Sequence, residues 1–229
     1  MGWDVLAEGH RHPRQFLGDV ILGLNDGIVT TLVFALGVAG AAGTARVVLA
    51  GLAEMLAGAV AMFLGAFMAS QYQRESAEHQ IAVERYEIEH EPDEEREELR
   101  RIYREKGFSG PQLSSIVDHL TADRHRWLQS LIQDELLLRP GEFRNPWKVG
   151  GIVAVSFAGG AFLPILPFIA RVGPSQVEAA ALSLLALAVT GRVRARNSGR
   201  FWLRSSAEMV LVGLIGTGAG LVIGKLLSS

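Results

Sequence analysis

Five apolar runs organise this chain: roughly Val20–Ala42, Val47–Ala69, Val149–Ala170, Val177–Gly191 and Ala207–Leu227. Each approaches the ~20 residues with which an α-helix crosses ~30 Å of hydrocarbon. The fourth is the shortest and carries Glu178 near its start. Together they predict an all-α membrane protein with five transmembrane helices.

Between the second and third runs the pattern changes to polar and helical. No proline occurs between Pro13 and Pro92, and the last glycine before Pro92 is Gly65. Residues 66–91 are mostly good helix formers, so the second span is predicted to continue as one helix from Val47 to Glu91. At ~1.5 Å per residue it reaches about 67 Å, and about half of it projects beyond the hydrocarbon. Pro92 ends it, and Asp93 is placed to cap a helix over 94–104. Gly107 and Gly110–Pro111 break that helix, and two more stretches, about 112–120 and 123–138, run up to Pro140–Gly141. A compact helical domain over 73–146 is therefore expected, between residues 1–72 (an N-terminal segment and the first two spans) and residues 147–229 (the last three).

Charge sharpens this division. Between Arg74 and Asn145 stand 17 Asp and Glu against 11 Lys and Arg, leaving 7 of the 24 acidic residues for the rest of the chain. The insert is thus acidic and water-facing. Arg192, Arg194, Arg196, Arg200 and Arg204 crowd the connection between the fourth and fifth runs, whereas the loops at 43–46 and 171–175 carry one arginine each. By the positive-inside rule the N-terminus, the insert and the arginine-rich loop are expected in the cytosol. The first sixteen residues lack an apolar core and carry His10, Arg11, His12 and Arg14. They read as an interfacial segment, with no cleavable signal peptide expected. The absence of cysteine excludes disulfides, thiolate metal sites and a cysteine nucleophile, so any metal donor is carboxylate, imidazole, thioether or backbone oxygen.

Three residues inside the apolar runs carry candidate chemistry. A carboxylate near a span's centre costs at least ~2.5–3.5 kcal/mol on insertion scales, so Asp26 and Glu54 are expected to face a polar path or a partner. Gly23 and Gly27 leave one face of the first span small enough for close helix approach or a cavity. Met62 lies eight residues beyond Glu54, within ~80° of it around a helix. Its thioether suits a late transition metal and offers little to Mg²⁺ or Ca²⁺.

The insert carries a second constellation. Glu84, Glu87 and Glu91 share one helical face, Glu95 and Glu98 repeat the spacing beyond Pro92, and Asp134 and Glu135 stand near the domain's end. Like charges at such spacing destabilise a helix by ~0.2–0.5 kcal/mol per pair, and a cation would relieve this. A solvated charged face is the alternative, since residues 94–101 also show ordinary salt-bridge spacing. Glu87 and His90 form one Glu-x-x-His, whereas di-iron carboxylate bundles use two.

These residues resemble the vacuolar iron transporter family over nearly the whole chain. The first run reads Gly-Asp-Val-Ile-Leu-Gly-Leu-Asn-Asp-Gly-Ile-Val-Thr-Thr (18–31), similar to the family's signature around its intramembrane aspartate. Glu54 and Met62 match its glutamate and methionine, and Gly-Gly-Ala-Phe-Leu-Pro-Ile-Leu-Pro-Phe (159–168) resembles its proline-rich turn. The resemblance implies five transmembrane helices, a homodimer, and a cytosolic metal-binding domain between the second and third. It also implies a translocation path along the dimer interface using Asp26 and Met62, with Glu54 on the same path. The family's metal-binding glutamates fall on Glu84, Glu87, Glu95, Glu98 and Glu135. Two positions depart from the pattern. Leu131 stands where plant members place a methionine ligand, and the usually small residues flanking the methionine are here Ala61 and Phe63.

The expected function is export of ferrous iron from the cytosol by proton antiport, with manganese or another divalent transition metal as further cargo. No enzymatic activity, prosthetic group or nucleic-acid partner is expected; the partners are metal ions, protons, the bilayer and a second copy of the chain. The membrane is the plasma (inner) membrane if the source is bacterial and a vacuole-like organelle if it is eukaryotic. Manganese export, a membrane-anchored iron sensor or buffer, and a di-iron oxidase are the rival readings. Gly216, Gly220 and Gly224 are expected to support helix packing, and the arginine-rich loop to meet anionic lipid.

Overall fold

The structure, a computed structural model, describes residues 12–138, 144–170 and 175–228. Its helices in chain order are α1 (His12–Ala42), α2 (Val47–His90), α3 (Pro92–Glu105), α4 (Gly110–Thr121), α5 (Arg124–Asp134), α6 (Pro146–Ala170), α7 (Ser175–Ser198) and α8 (Trp202–Leu227), with one 3-10 turn at Thr44–Arg46. Five of them (α1, α2, α6, α7 and α8) are long and apolar enough to cross a membrane. The described residues form two compact units, one within Ser70–Arg144 and the other within Gly9–Ala69 and Asn145–Ser229.

In the apolar unit α1 is the hub, packed against α6, α7 and α8. Lipid removes the hydrophobic drive between helices, so association depends on close backbone approach. Glycine supplies it: a Cβ at Gly23 or Gly27 would overlap the carbonyl oxygens of Val153 or Phe157, and one at Gly160 would overlap that of Leu24. The small face beside Asp26 thus serves close packing on α6. On the other side of α1, a Cβ at Gly220 would stand 2.8 Å from the Val33 carbonyl oxygen, and one at Gly224 3.1 Å from that of Gly37. The fifth-span glycines are packing residues, as expected. Leu32, Leu36, Val47 and Phe168 fill the core between them.

Several boundaries differ from the sequence expectation. α1 begins at His12 and α7 continues to Ser198, so Arg192, Arg194 and Arg196 are helical. An apolar run marks only the part that meets hydrocarbon, and backbone hydrogen bonding extends the helix past it. Pro164 and Pro167 lie inside α6, where a turn was expected. A packed membrane helix tolerates proline because its neighbours satisfy the freed carbonyls. His10, Arg11, the break at Pro140–Gly141 and most of the 171–175 loop lie outside the described residues.

α2 is continuous over 44 residues, about 66 Å at ~1.5 Å each. Its polar half belongs with α3, α4 and α5, whose core gathers Ile88, Leu99, Trp127, Leu128, Leu131 and Ile132. Pro92 is the first residue of α3, and Glu91 occupies the N-cap position. Asp93 therefore sits in the first turn and does not cap, because proline's fixed φ and missing N–H favour the first helical position. Gly107 and Gly110, at φ 96° and 56°, form the α3–α4 break in a backbone region that side chains disfavour. Asp123 caps α5 by accepting from the Arg126 N–H at 2.9 Å. α5 ends at Asp134, four residues before the predicted stop, with Leu137 in a left-handed conformation at φ 53°.

Candidate metal centre

Three helices of the acidic unit each contribute one glutamate to a common point. Glu84 comes from α2, four residues before Ile88, which anchors that face in the core. Glu95 lies in the first turn of α3, four residues before the fully buried Leu99. Glu135 follows the last turn of α5, its N–H donating to Leu131 O at 2.9 Å. One carboxylate oxygen from each lies within 4.8 Å of the others. Metal–oxygen bonds of ~2.1 Å would hold two such oxygens at most ~4.2 Å apart, so small side-chain rotations close the set around one ion.

The three carboxylates are buried close to one another, where their charges repel. Glu84 and Glu95 are 5% and 6% exposed. Among the described residues, the buried Oε2 atoms of Glu84, Glu95 and Glu135 have no hydrogen-bond partner. Such groups are costly unless a proton or an ion neutralises them. Burial first, and then the charges of Glu135, Glu95, Glu87 and Glu98, push Glu84 up to about 7. Glu95 is likewise pushed up to about 7, by burial and then by Glu87, Glu135, Glu98 and Glu91. Glu135 is raised by burial and by Glu98 and Glu87, with Arg101 opposing them.

Of the five glutamates expected from the sequence, the structure brings Glu84, Glu95 and Glu135 together and keeps Glu87 and Glu98 within electrostatic reach. Asp134 is used otherwise: it accepts from the Tyr103 hydroxyl at 2.9 Å and pairs with Lys106. Burial and that hydrogen bond push Tyr103 up to about 12. Glu91 is an exposed N-cap residue. His90 stacks on Tyr86 and places Nδ1 2.8 Å from the Tyr86 carbonyl, which can only accept. Leu131, at the position of the expected methionine ligand, is fully buried in the hydrophobic core.

The membrane residues are arranged differently. The Thr31 hydroxyl, fully buried, donates to Glu54 Oε2 at 2.7 Å and ties α1 to α2. Asp26 is half-buried and within electrostatic reach of Glu54. Met62 is half-buried two turns further along α2.

Sequence reasoning missed the neighbours of Asn25. Its amide donates to Met209 Sδ at 3.3 Å and accepts from the Thr190 hydroxyl at 2.8 Å, linking α1 to α7 and α8. Asn25 inside an apolar run was itself a signal that polar partners exist. Nothing in the sequence named Thr190 or Met209.

The model of the VIT family matches residues 17–225. The chain belongs to this family. It is similar to vacuolar iron transporter 2 of Oryza sativa subsp. japonica, with 28% identity covering 99% of this chain and 93% of the relative. It is also similar to vacuolar iron transporter 1 of Arabidopsis thaliana, at 28% identity over 97% and 90%. The vacuolar iron transporter of Toxoplasma gondii matches at 28% identity over 90% of this chain and 72% of its own length. The VIT match spans α1 to α8, so it includes the three glutamates as well as Asp26 and Glu54.

Proposed function

We propose that this VIT-family chain is a membrane transporter that carries ferrous iron, with manganese as a second cargo, out of the cytosol in exchange for protons. The observation that carries the reading is the convergence of Glu84, Glu95 and Glu135, two of them over nine-tenths buried, with unpartnered oxygens. Oxygen donors of this kind suit Fe²⁺ and Mn²⁺ alike. The names of the relatives favour iron as the first cargo.

In this account the acidic unit lies in the cytosol, as the arginine density of the α7–α8 turn favours. Its carboxylates capture metal and give up protons as they do so, with Glu87 and Glu98 adding negative potential. Asp26, Glu54 and Met62 form the membrane site, where a carboxylate holds either a cation or a proton. Protonation from the acidic side then releases the metal. The apolar half of α2 leaves Leu49, Leu56, Val60, Leu64 and Met68 exposed. A second copy of the chain, together with lipid, would cover that surface, which supports a homodimer with the path at its interface.

The test is metal uptake into proteoliposomes under an imposed pH gradient, with Fe²⁺ and Mn²⁺ run in parallel. Wild type takes up metal in a gradient-dependent way. Asp26→Ala abolishes uptake, and Glu84→Gln/Glu95→Gln raises the metal concentration that uptake requires. Metal binding without uptake by folded wild type would refute the transporter and leave a sensor or buffer.

A further inference from the structure

The glutamate cluster faces a cation supplied by the chain itself. Arg101 forms an ion pair with Glu98 one turn earlier on α3, and its charge also reaches Glu135, where it opposes burial and the neighbouring carboxylates. Its side chain is 62% exposed while that of Glu98 is 28% exposed, so the guanidinium holds from the solvent side a carboxylate whose charge acts on all three cluster members, and it has room to withdraw. The other arginines of α3 are directed elsewhere: Arg96 pairs with Asp118, and Arg100 and Arg104 pair with Glu97. Unlike Glu98, neither Asp118 nor Glu97 is among the charges that act on Glu84, Glu95 and Glu135. Lys106 is held by Asp134.

We propose that Arg101 is a tethered counter-ion that competes with the metal for the glutamate cluster, stabilising the empty domain and weakening its hold on the incoming cation. The inference rests on reading Glu84, Glu95 and Glu135 as a metal site. A divalent ion placed among them would feel the same guanidinium charge that already acts on Glu135, and two cations drawing on neighbouring carboxylates repel. Arg101 must swing away as metal arrives, and its return favours release. A carrier gains from this, because a capture site that holds its cargo too firmly cannot pass it on. Arginine suits the role because it stays charged at every physiological pH.

The test is Mn²⁺ binding by calorimetry to the purified full-length chain in detergent, comparing wild type with Arg101→Gln, Arg101→Lys and Arg100→Gln. Arg101→Gln is expected to bind about two- to fivefold tighter, a range set by the partial exposure of the pair. Arg101→Lys, which keeps the charge, stays near wild type, and so does Arg100→Gln. High salt shrinks the gain. Metal-free Arg101→Gln melts below wild type, and saturating Mn²⁺ closes the gap. A gain in affinity cannot come from misfolding, so the result separates a counter-ion from a merely structural residue. Unchanged binding by Arg101→Gln would overturn the proposal; weaker binding would also overturn it and make Arg101 a residue that positions Glu98 for the metal. Absence of Mn²⁺ binding by wild type and by Glu84→Gln alike would instead remove the metal site, and this role with it.

Discussion

Glu54 and Glu84 stand on one helix, α2, and meet opposite conditions. Glu54 accepts a hydrogen bond from a fully buried threonine. Glu84 keeps a buried oxygen with no donor among the described residues, close to other carboxylates in the same state. A partner supplied by the protein holds one oxygen of the first carboxylate between α1 and α2. A missing partner makes the second incomplete until a proton or a cation arrives.

The comparison breaks most sharply if the acidic cluster is neutralised by mutation. Glu84→Gln/Glu95→Gln is expected to lower Mn²⁺ affinity on the order of a hundredfold, since charged partners are removed from a desolvated site. The metal-free variant should melt no lower than wild type, because like-charge repulsion disappears with the ligands. Calorimetry and thermal melts read the two effects. Thr31→Val makes the converse test in the membrane. It leaves Glu54 without its donor and should cost about 1–3 kcal/mol of stability, with Mn²⁺ binding by the acidic domain unchanged.

A smaller, graded effect follows from pH. Glu84 and Glu95 are raised from 4.5 to about 7, so their protonated forms favour the metal-free fold. Their contribution to stability is full below about pH 4.5 and is lost as pH rises through about 7. Mn²⁺ binding needs the ionised forms and should strengthen across the same window. Melting curves from pH 5 to 8 should therefore fall without Mn²⁺ and flatten with it. The smallest effect belongs to the Asn25 link: Thr190→Val should destabilise by about 0.6 kcal/mol, a typical value for a hydrogen bond between membrane helices, without altering metal binding.

Much of this was legible in the sequence because hydropathy and proline placement are local signals. The five apolar helices, the long α2 and the break at Pro92 follow from runs of residue types. The helix ends were less legible: Pro92 itself starts α3, and α7 carries its arginines as helix, because hydrogen bonding does not stop where hydrophobicity does. The cluster was partly legible. Glu84, Glu87, Glu95 and Glu98 show their spacing, but the choice of Glu84 and Glu95 as buried members depends on Ile88 and Leu99 turning those faces into the core. The separation of Glu135 from Asp134 depends on Tyr103 and Lys106 capturing the latter. Thr31, Thr190 and Met209 come from contacts between distant segments, which one sequence does not encode locally.

Anomalous diffraction at the manganese edge, from crystals of the full chain grown with Mn²⁺, tests most directly whether the unpartnered glutamates await a cation. The account predicts a peak about 2.2 Å from carboxylate oxygens of Glu84, Glu95 and Glu135 together. Manganese bound elsewhere, with these three oxygens still uncoordinated, would contradict it.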